Sequence, residues 1–170
     1  MSRIKVLVSG AYGRMGRFVM DAVHSARDMQ LVGAVDPAGV GHAVSEVVDI
    51  DTDLRISGHL AGCLEELGPD VMVDFTVPGV VMDNIEAALT RKVACVVGTT
   101  GFSPTDIQVV QNMCQRNGTP ALVAPNFSIG ANLMMRFAQE AAKSFEYAEI
   151  IERHHEKKVD SPSGTAMRTA

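Results

Sequence analysis

The sequence has no run of lysines or arginines, no long apolar stretch and no paired cysteines, and each absence removes a class of function. Its formal charge of −5 is spread along 170 residues, so no nucleic acid and no anionic membrane surface is expected as the main partner. No apolar run approaches the roughly 18 residues of a transmembrane helix, and the apolar stretch after Lys5 is too short for a secretory signal. The expected compartment is the cytoplasm. Cys63, Cys95 and Cys114 form no CxxC pair and no metal spacing. An odd count suits a reducing compartment better than a disulfide framework, and packed thiols are the simplest reading. Internal repeats, low-complexity tracts and linker-like composition are missing as well before about position 125. What remains is ordinary globular composition, 46% hydrophobic and 21% charged, in a chain long enough for one full domain and the beginning of a second.

Apolar, β-branched runs alternate with longer helix-period segments, which is the sequence form of repeated βαβ units. Residues 5–9, 31–36, 71–76, 93–97 and 121–124 read as five buried strands, because they are short and nearly continuously apolar. The clearest helix between them has Ser103 as N-cap, Pro104 in its first turn, Asp106 near the positive end of its dipole and Gly118 just past its end. Residues 37–58, rich in Gly, Asp and Ser, read as an irregular excursion with room for one helical turn. After Asn126 the pattern changes: residues 129–145 read as one long helix and residues 147–153, mixing apolar with charged side chains, as a half-exposed strand. The expected architecture is α/β. A Rossmann-like, doubly wound parallel sheet over residues 1–126 is followed over 127–170 by the start of a second, α+β domain for substrate binding and oligomerisation.

Between the first strand and the first helix lies Gly10-Ala11-Tyr12-Gly13-Arg14-Met15-Gly16. A dinucleotide-binding fold puts its glycine turn there, so that backbone N–H groups can approach a pyrophosphate at a helix N-terminus. Asp36 stands at the end of the second strand, where a carboxylate accepts bonds from both adenosine ribose hydroxyls. Asp36 disfavours a 2′-phosphate and is followed by proline, whereas Arg14 or Arg17 could neutralise one. NADH is therefore favoured over NADPH, with dual use open.

A second constellation runs from Glu152 through His154, His155, Lys157, Lys158 and Asp160 to Ser163-Gly164-Thr165-Ala166. Ser163-Gly164-Thr165 follows a proline and leads into a helix, and its N–H groups and hydroxyls form a cradle for an anion such as a carboxylate. His154 and Lys158, four residues apart, offer an imidazole and an ammonium for proton transfer to a carbanion. Taken alone, the His-His-Glu-Lys-Lys run also reads as a solvated strand end. Adjacent histidines on a strand point to opposite faces and no third ligand is spaced nearby, so no metal site is expected.

These motifs, together with Val73-Asp74-Phe75-Thr76, Gly98-Thr99-Thr100-Gly101 and Ala124-Pro125-Asn126-Phe127-Ser128-Ile129-Gly130, resemble the 4-hydroxy-tetrahydrodipicolinate (dihydrodipicolinate) reductase family of the diaminopimelate and lysine pathway. The resemblance implies an NAD(P)H-dependent oxidoreductase whose substrate is a small cyclic dicarboxylate. It implies that Gly98, Thr99 and Thr100 touch the nicotinamide half of the cofactor, as do Ala124, Pro125, Asn126 and Phe127. His154 would act as acid/base and Lys158 as proton donor, with His155, Gly164 and Thr165 holding a substrate carboxylate. In the family the second-domain sheet builds a homotetramer. This sequence supplies one expected strand of that sheet, so it reads as the front part of a longer chain, expected to bind NADH but to hold its catalytic groups poorly and not to form the tetramer. Two other readings stay open: a different nicotinamide dehydrogenase on the same fold, or a non-catalytic NAD-binding fragment.

Overall fold

Apolar runs four to seven residues long seldom propagate as helices, and here they form most of a parallel six-stranded sheet, in a computed structural model that describes residues 2–124, 126–154 and 162–170. In chain order the elements are β1 (Ile4–Ser9), α1 (Arg14–Ser25), β2 (Met29–Val35), a 3₁₀ turn (Pro37–Gly39), α2 (Val44–Val47), β3 (Ile56–Ser57), α3 (Leu60–Leu67), β4 (Val71–Asp74), α4 (Pro78–Thr90), β5 (Ala94–Val97), α5 (Pro104–Asn117) and β6 (Ala121–Val123). The strand order is β3-β2-β1-β4-β5-β6. The chain winds outward from β1 to β3, returns to the middle and winds outward again from β4 to β6. At that reversal the carboxyl ends of β1 and β4 lie side by side, with Ser9 paired to Asp74. Open α/β sheets leave their ligand crevice at such a switch point.

Alternation along β1 explains why both faces of the sheet are covered. Val6 and Val8 join Met20 and Val23 of α1 on one face, with Val44, Ile50 and Ile56. Leu7 points the other way, into a cluster with Leu64, Met72, Ile85, Leu89 and Val110. Leu7, Met20, Met72, Ile85 and Leu89 are fully buried, and each such side chain contributes about 1.5–3 kcal/mol relative to exposure.

The helix boundaries expected around α5 are found in place. Ser103 Oγ accepts the Asp106 N–H at 3.1 Å, while the Asp106 carboxylate accepts the Ser103 N–H at 2.8 Å and its hydroxyl at 2.7 Å. Gly118 ends the helix in the left-handed region. The hydroxyl and N–H of Ser103 hold the Asp106 carboxyl below its ordinary value. A carboxyl with a lowered folded-state pKa stabilises the fold above its unfolded-state pKa, and this contribution fades as pH falls through the lowered value. Ser103→Ala is expected to cost about 1 kcal/mol of stability, read as a lower urea midpoint at neutral pH. An unchanged midpoint would show that the cap contributes nothing.

The chain divides into two compact units, Met1–Val123 and Ala124–Ala170. The second contains α6 (Ile129–Ala142), capped by Ser128 Oγ accepting the Ala131 N–H at 3.3 Å, and the short α7 (Gly164–Thr169). Among the described residues no helix is long and apolar enough to cross a membrane.

Three local expectations change. Residues 37–58 hold a 3₁₀ turn, a short helix and β3, so the sheet has six strands where five were expected. β3 is two residues long and hydrogen-bonds to β2 at the sheet edge, too brief to leave a period in the sequence. The helix expected over 129–145 stops at Ala142. Residues 147–153 form no strand. A strand exists only through hydrogen bonds to a neighbour, and among the described residues none pairs with this segment, which leaves Tyr147 and Ile151 exposed.

Candidate functional site

The glycine turn is shaped by what a side chain would strike. Gly10 has φ +81°, and a Cβ there would lie 2.4 Å from the Phe75 carbonyl oxygen. A Cβ on Gly16 would lie 2.1 Å from the Gly10 oxygen and 2.7 Å from Ala11 Cα. The first turn of α1 is thus packed directly against the backbone that leaves β1. Gly13 is the N-cap of α1, and no side chain caps this end. The first-turn N–H groups, at Arg14, Met15 and Gly16, belong to residues with no intrahelical acceptor before them, next to the carboxyl end of β1.

Asp36 reaches the same turn. Its Oδ2 accepts the Tyr12 N–H at 3.0 Å and its Oδ1 the Ala38 N–H at 2.9 Å. A carboxylate has about four acceptor positions, so each oxygen can take a further donor such as a hydroxyl. The Tyr12 ring stacks on His42 with ring centroids 5.4 Å apart, and the Arg17 guanidinium lies 5.0 Å from its centroid. Arg17 Nε also donates to the Tyr12 carbonyl at 3.2 Å. Ala11 is buried, whereas Gly13, Arg14 and Met15 are exposed at the helix start.

Across the switch point, Gly98 lies against Phe75, whose ring atoms would be 2.1 Å from a Cβ at that position. Thr99 is buried and donates its hydroxyl to Asp74 Oδ1 at 2.8 Å, while Thr100 is exposed. Cys95 lies buried on β5; burial first, then Cys114 and Asp74, push its thiol up to about 12, so it is no nucleophile at neutral pH.

In the second unit, Asn126 Nδ2 donates to Thr165 Oγ1 at 3.0 Å, and the Asn126 backbone carbonyl accepts from Asn132 Nδ2 at 3.1 Å. His154 Nδ1 lies 2.8 Å from Glu152 Oε1, and Glu152 Oε2 accepts the Ser163 N–H at 2.8 Å. One carboxylate therefore ties His154 to the start of the Ser163-Gly164-Thr165 segment. Ala124 is half-buried and Phe127 exposed. Pro125, His155 and Lys158 lie outside the described residues.

Comparison with known proteins then decides the lineage. The family model "Dihydrodipicolinate reductase, N-terminus" matches residues 4–127, and its C-terminal counterpart matches residues 130–170. The chain belongs to the dihydrodipicolinate reductase family. It is 47% identical over 171 residues to the 4-hydroxy-tetrahydrodipicolinate reductase of Desulfitobacterium hafniense, covering 99% of this chain and 64% of that protein. The corresponding protein of Listeria innocua is 45% identical over 168 residues, covering 98% and 64%. Among solved structures, the dipicolinate-bound dihydrodipicolinate reductase from Paenisporosarcina sp. TG-14 is 37% identical with a TM-score of 0.79, covering 98% of this chain and 64% of that one. The chain thus spans about 64% of the length of these dihydrodipicolinate reductases.

Two further residues gain importance from the geometry. Asp74 is the acid of the Val73-Asp74-Phe75-Thr76 motif, and a charged group ending a buried apolar strand was a usable signal. Glu152 stands two residues before His154, the spacing that puts both side chains on one face of an extended segment.

Proposed function

We propose that residues 1–126 bind a nicotinamide dinucleotide, with NADH favoured over NADPH. Residues 127–170 form part of the substrate domain of a cytoplasmic reductase that converts 4-hydroxy-tetrahydrodipicolinate to tetrahydrodipicolinate. The observation that carries the reading is the uncapped start of α1 on its glycine turn, with Asp36 fastened to Tyr12 beside it. This arrangement fits the group: N–H donors and a helix N-terminus suit a pyrophosphate, and a carboxylate with spare acceptor positions suits ribose hydroxyls.

In this reading Gly10 to Met15 hold the pyrophosphate and Asp36 the adenosine ribose. Gly98, Thr99, Thr100 and Ala124 to Phe127 line the nicotinamide half. When bound there, NAD(P)H would supply the hydride for reduction of the cyclic substrate at C4. His154 and Lys158 handle the proton that arrives at C3, so that hydride and proton together reduce one C=C bond after water leaves the hydroxylated precursor. His155, Gly164 and Thr165 hold a substrate carboxylate. Glu152 keeps the His154 ring oriented through Nδ1, which leaves Nε2 for proton exchange. The homotetramer implied by the resemblance belongs to proteins of the family's full length; this chain alone is expected not to form it, and light scattering reads the difference.

Asp36→Ala tests the cofactor assignment. Loss of a carboxylate acceptor to a ribose hydroxyl is expected to weaken NADH by about 1.5–3 kcal/mol and to shift preference toward NADPH. Calorimetric titration of both cofactors decides it: clearly tighter NADPH binding by the unmutated chain would sink the NADH assignment, and no binding of either would sink the dinucleotide reading.

A further inference from the structure

Asp74 is fully buried at the carboxyl end of β4 and draws donors from three separate segments. Its Oδ1 accepts the Thr76 N–H at 3.1 Å, the Thr76 hydroxyl at 2.7 Å and the Thr99 hydroxyl at 2.8 Å. Its Oδ2 accepts Asn84 Nδ2 of α4 at 2.8 Å, and the same amide nitrogen reaches Ser9 Oγ at 3.4 Å. Its backbone carbonyl accepts the Gly98 N–H at 2.8 Å. One residue thereby joins the ends of β4 and β5 and, through Asn84, the end of β1.

Packing alone does not call for such a group. Burying a carboxyl is unfavourable unless its oxygens are fully supplied with donors, and an apolar residue of similar volume often serves stability as well or better. What a carboxylate adds is direction: its bonds fix the turn after β4 and the turn after β5 relative to each other. Both turns lie at the switch point, on the side of the sheet where ligands bind.

The geometry points to Asp74 as a positioning residue for the nicotinamide end of the dinucleotide, an inference that rests on the function proposed above. The network also sets polarity. Because the Thr76 and Thr99 hydroxyl protons are committed to Asp74, those oxygens can offer a ligand only lone pairs. Thr76, half-buried where Thr99 is enclosed, accepts from a carboxamide N–H or a ribose hydroxyl and does not donate to a phosphate.

The test compares NADH with ADP-ribose, which shares the pyrophosphate and the adenosine half but lacks the nicotinamide. In calorimetric titrations of the full chain, Asp74→Asn is expected to weaken NADH about tenfold or more, as loss of bonds to a charged acceptor does, and to leave ADP-ribose unchanged. Thr99→Val, which keeps shape and removes the hydroxyl, gives a smaller loss of the same kind, and Thr99→Ser restores binding. The double variant Asp74→Asn/Thr99→Val is no worse than Asp74→Asn alone, because both substitutions break one interaction. If Asp74→Asn fails to fold, the Thr99 pair still reads the same bond. Equal weakening of both ligands, additive losses in the double variant or unchanged NADH affinity would each overturn the positioning role alone. Failure of the unmutated chain to bind either ligand would overturn the dinucleotide reading, and this inference with it.

Discussion

Gly16→Ala is expected to lower NADH affinity by about a hundredfold, the order expected from losing charge-assisted bonds worth about 1.5–3 kcal/mol between N–H donors and the pyrophosphate. The added Cβ would meet Gly10 O at 2.1 Å, Ala11 Cα at 2.7 Å and Gly10 C at 2.8 Å, all backbone atoms with no rotamer to change. Relief requires α1 to lift away from the turn. Its first-turn N–H groups then leave the carboxyl end of β1, and the anion site loses its donors together. Gly79→Ala is the control, because a Cβ at that first-turn position of α4 has nothing within 4 Å. Titration with NADH, alongside thermal unfolding to confirm that the sheet persists, reads the result. An alanine variant that folds and binds NADH as the unmutated chain does would remove the glycine turn from the cofactor site.

His154→Ala and Lys158→Ala are each expected to lower kcat about a hundredfold or more, the usual contribution of a positioned general acid, while NADH affinity stays nearly constant. Glu152→Gln should produce a smaller fall of about tenfold, since an amide can still contact Nδ1 but no longer offers two carboxylate oxygens to His154 and Ser163. The assay is NADH oxidation with freshly generated substrate, in a protein of the relatives' full length carrying these residues. Undiminished kcat in either alanine variant would strip that residue of its role, and a Glu152→Gln enzyme as fast as the parent would show that His154 needs no second carboxylate oxygen.

Most of the sheet region was legible because its signals are local. Five strands announced themselves as short apolar runs, and α5 by Ser103, Asp106 and Gly118. Each rests on backbone conformation or on side chains within a few residues, which a linear pattern can record. β3 escaped because two residues carry no period; it exists by pairing Ala34 with Ile56 and Val35 with Ser57.

The sequence by itself determined the α/β class and the place of the glycine turn between the first strand and the first helix. It also identified the family, since whole motifs such as Gly10 to Gly16 and Ser163 to Ala166 survive as contiguous strings. Only the tertiary structure decided which partners Asp74 and Glu152 meet. Thr99 lies 25 residues from Asp74 and Ser163 lies 11 from Glu152, and no periodicity encodes which distant donor a buried carboxylate will meet. Tertiary structure also decided against a strand at 147–153, because alternation of apolar and charged residues states a preference, whereas a strand is made by the neighbour that hydrogen-bonds to it.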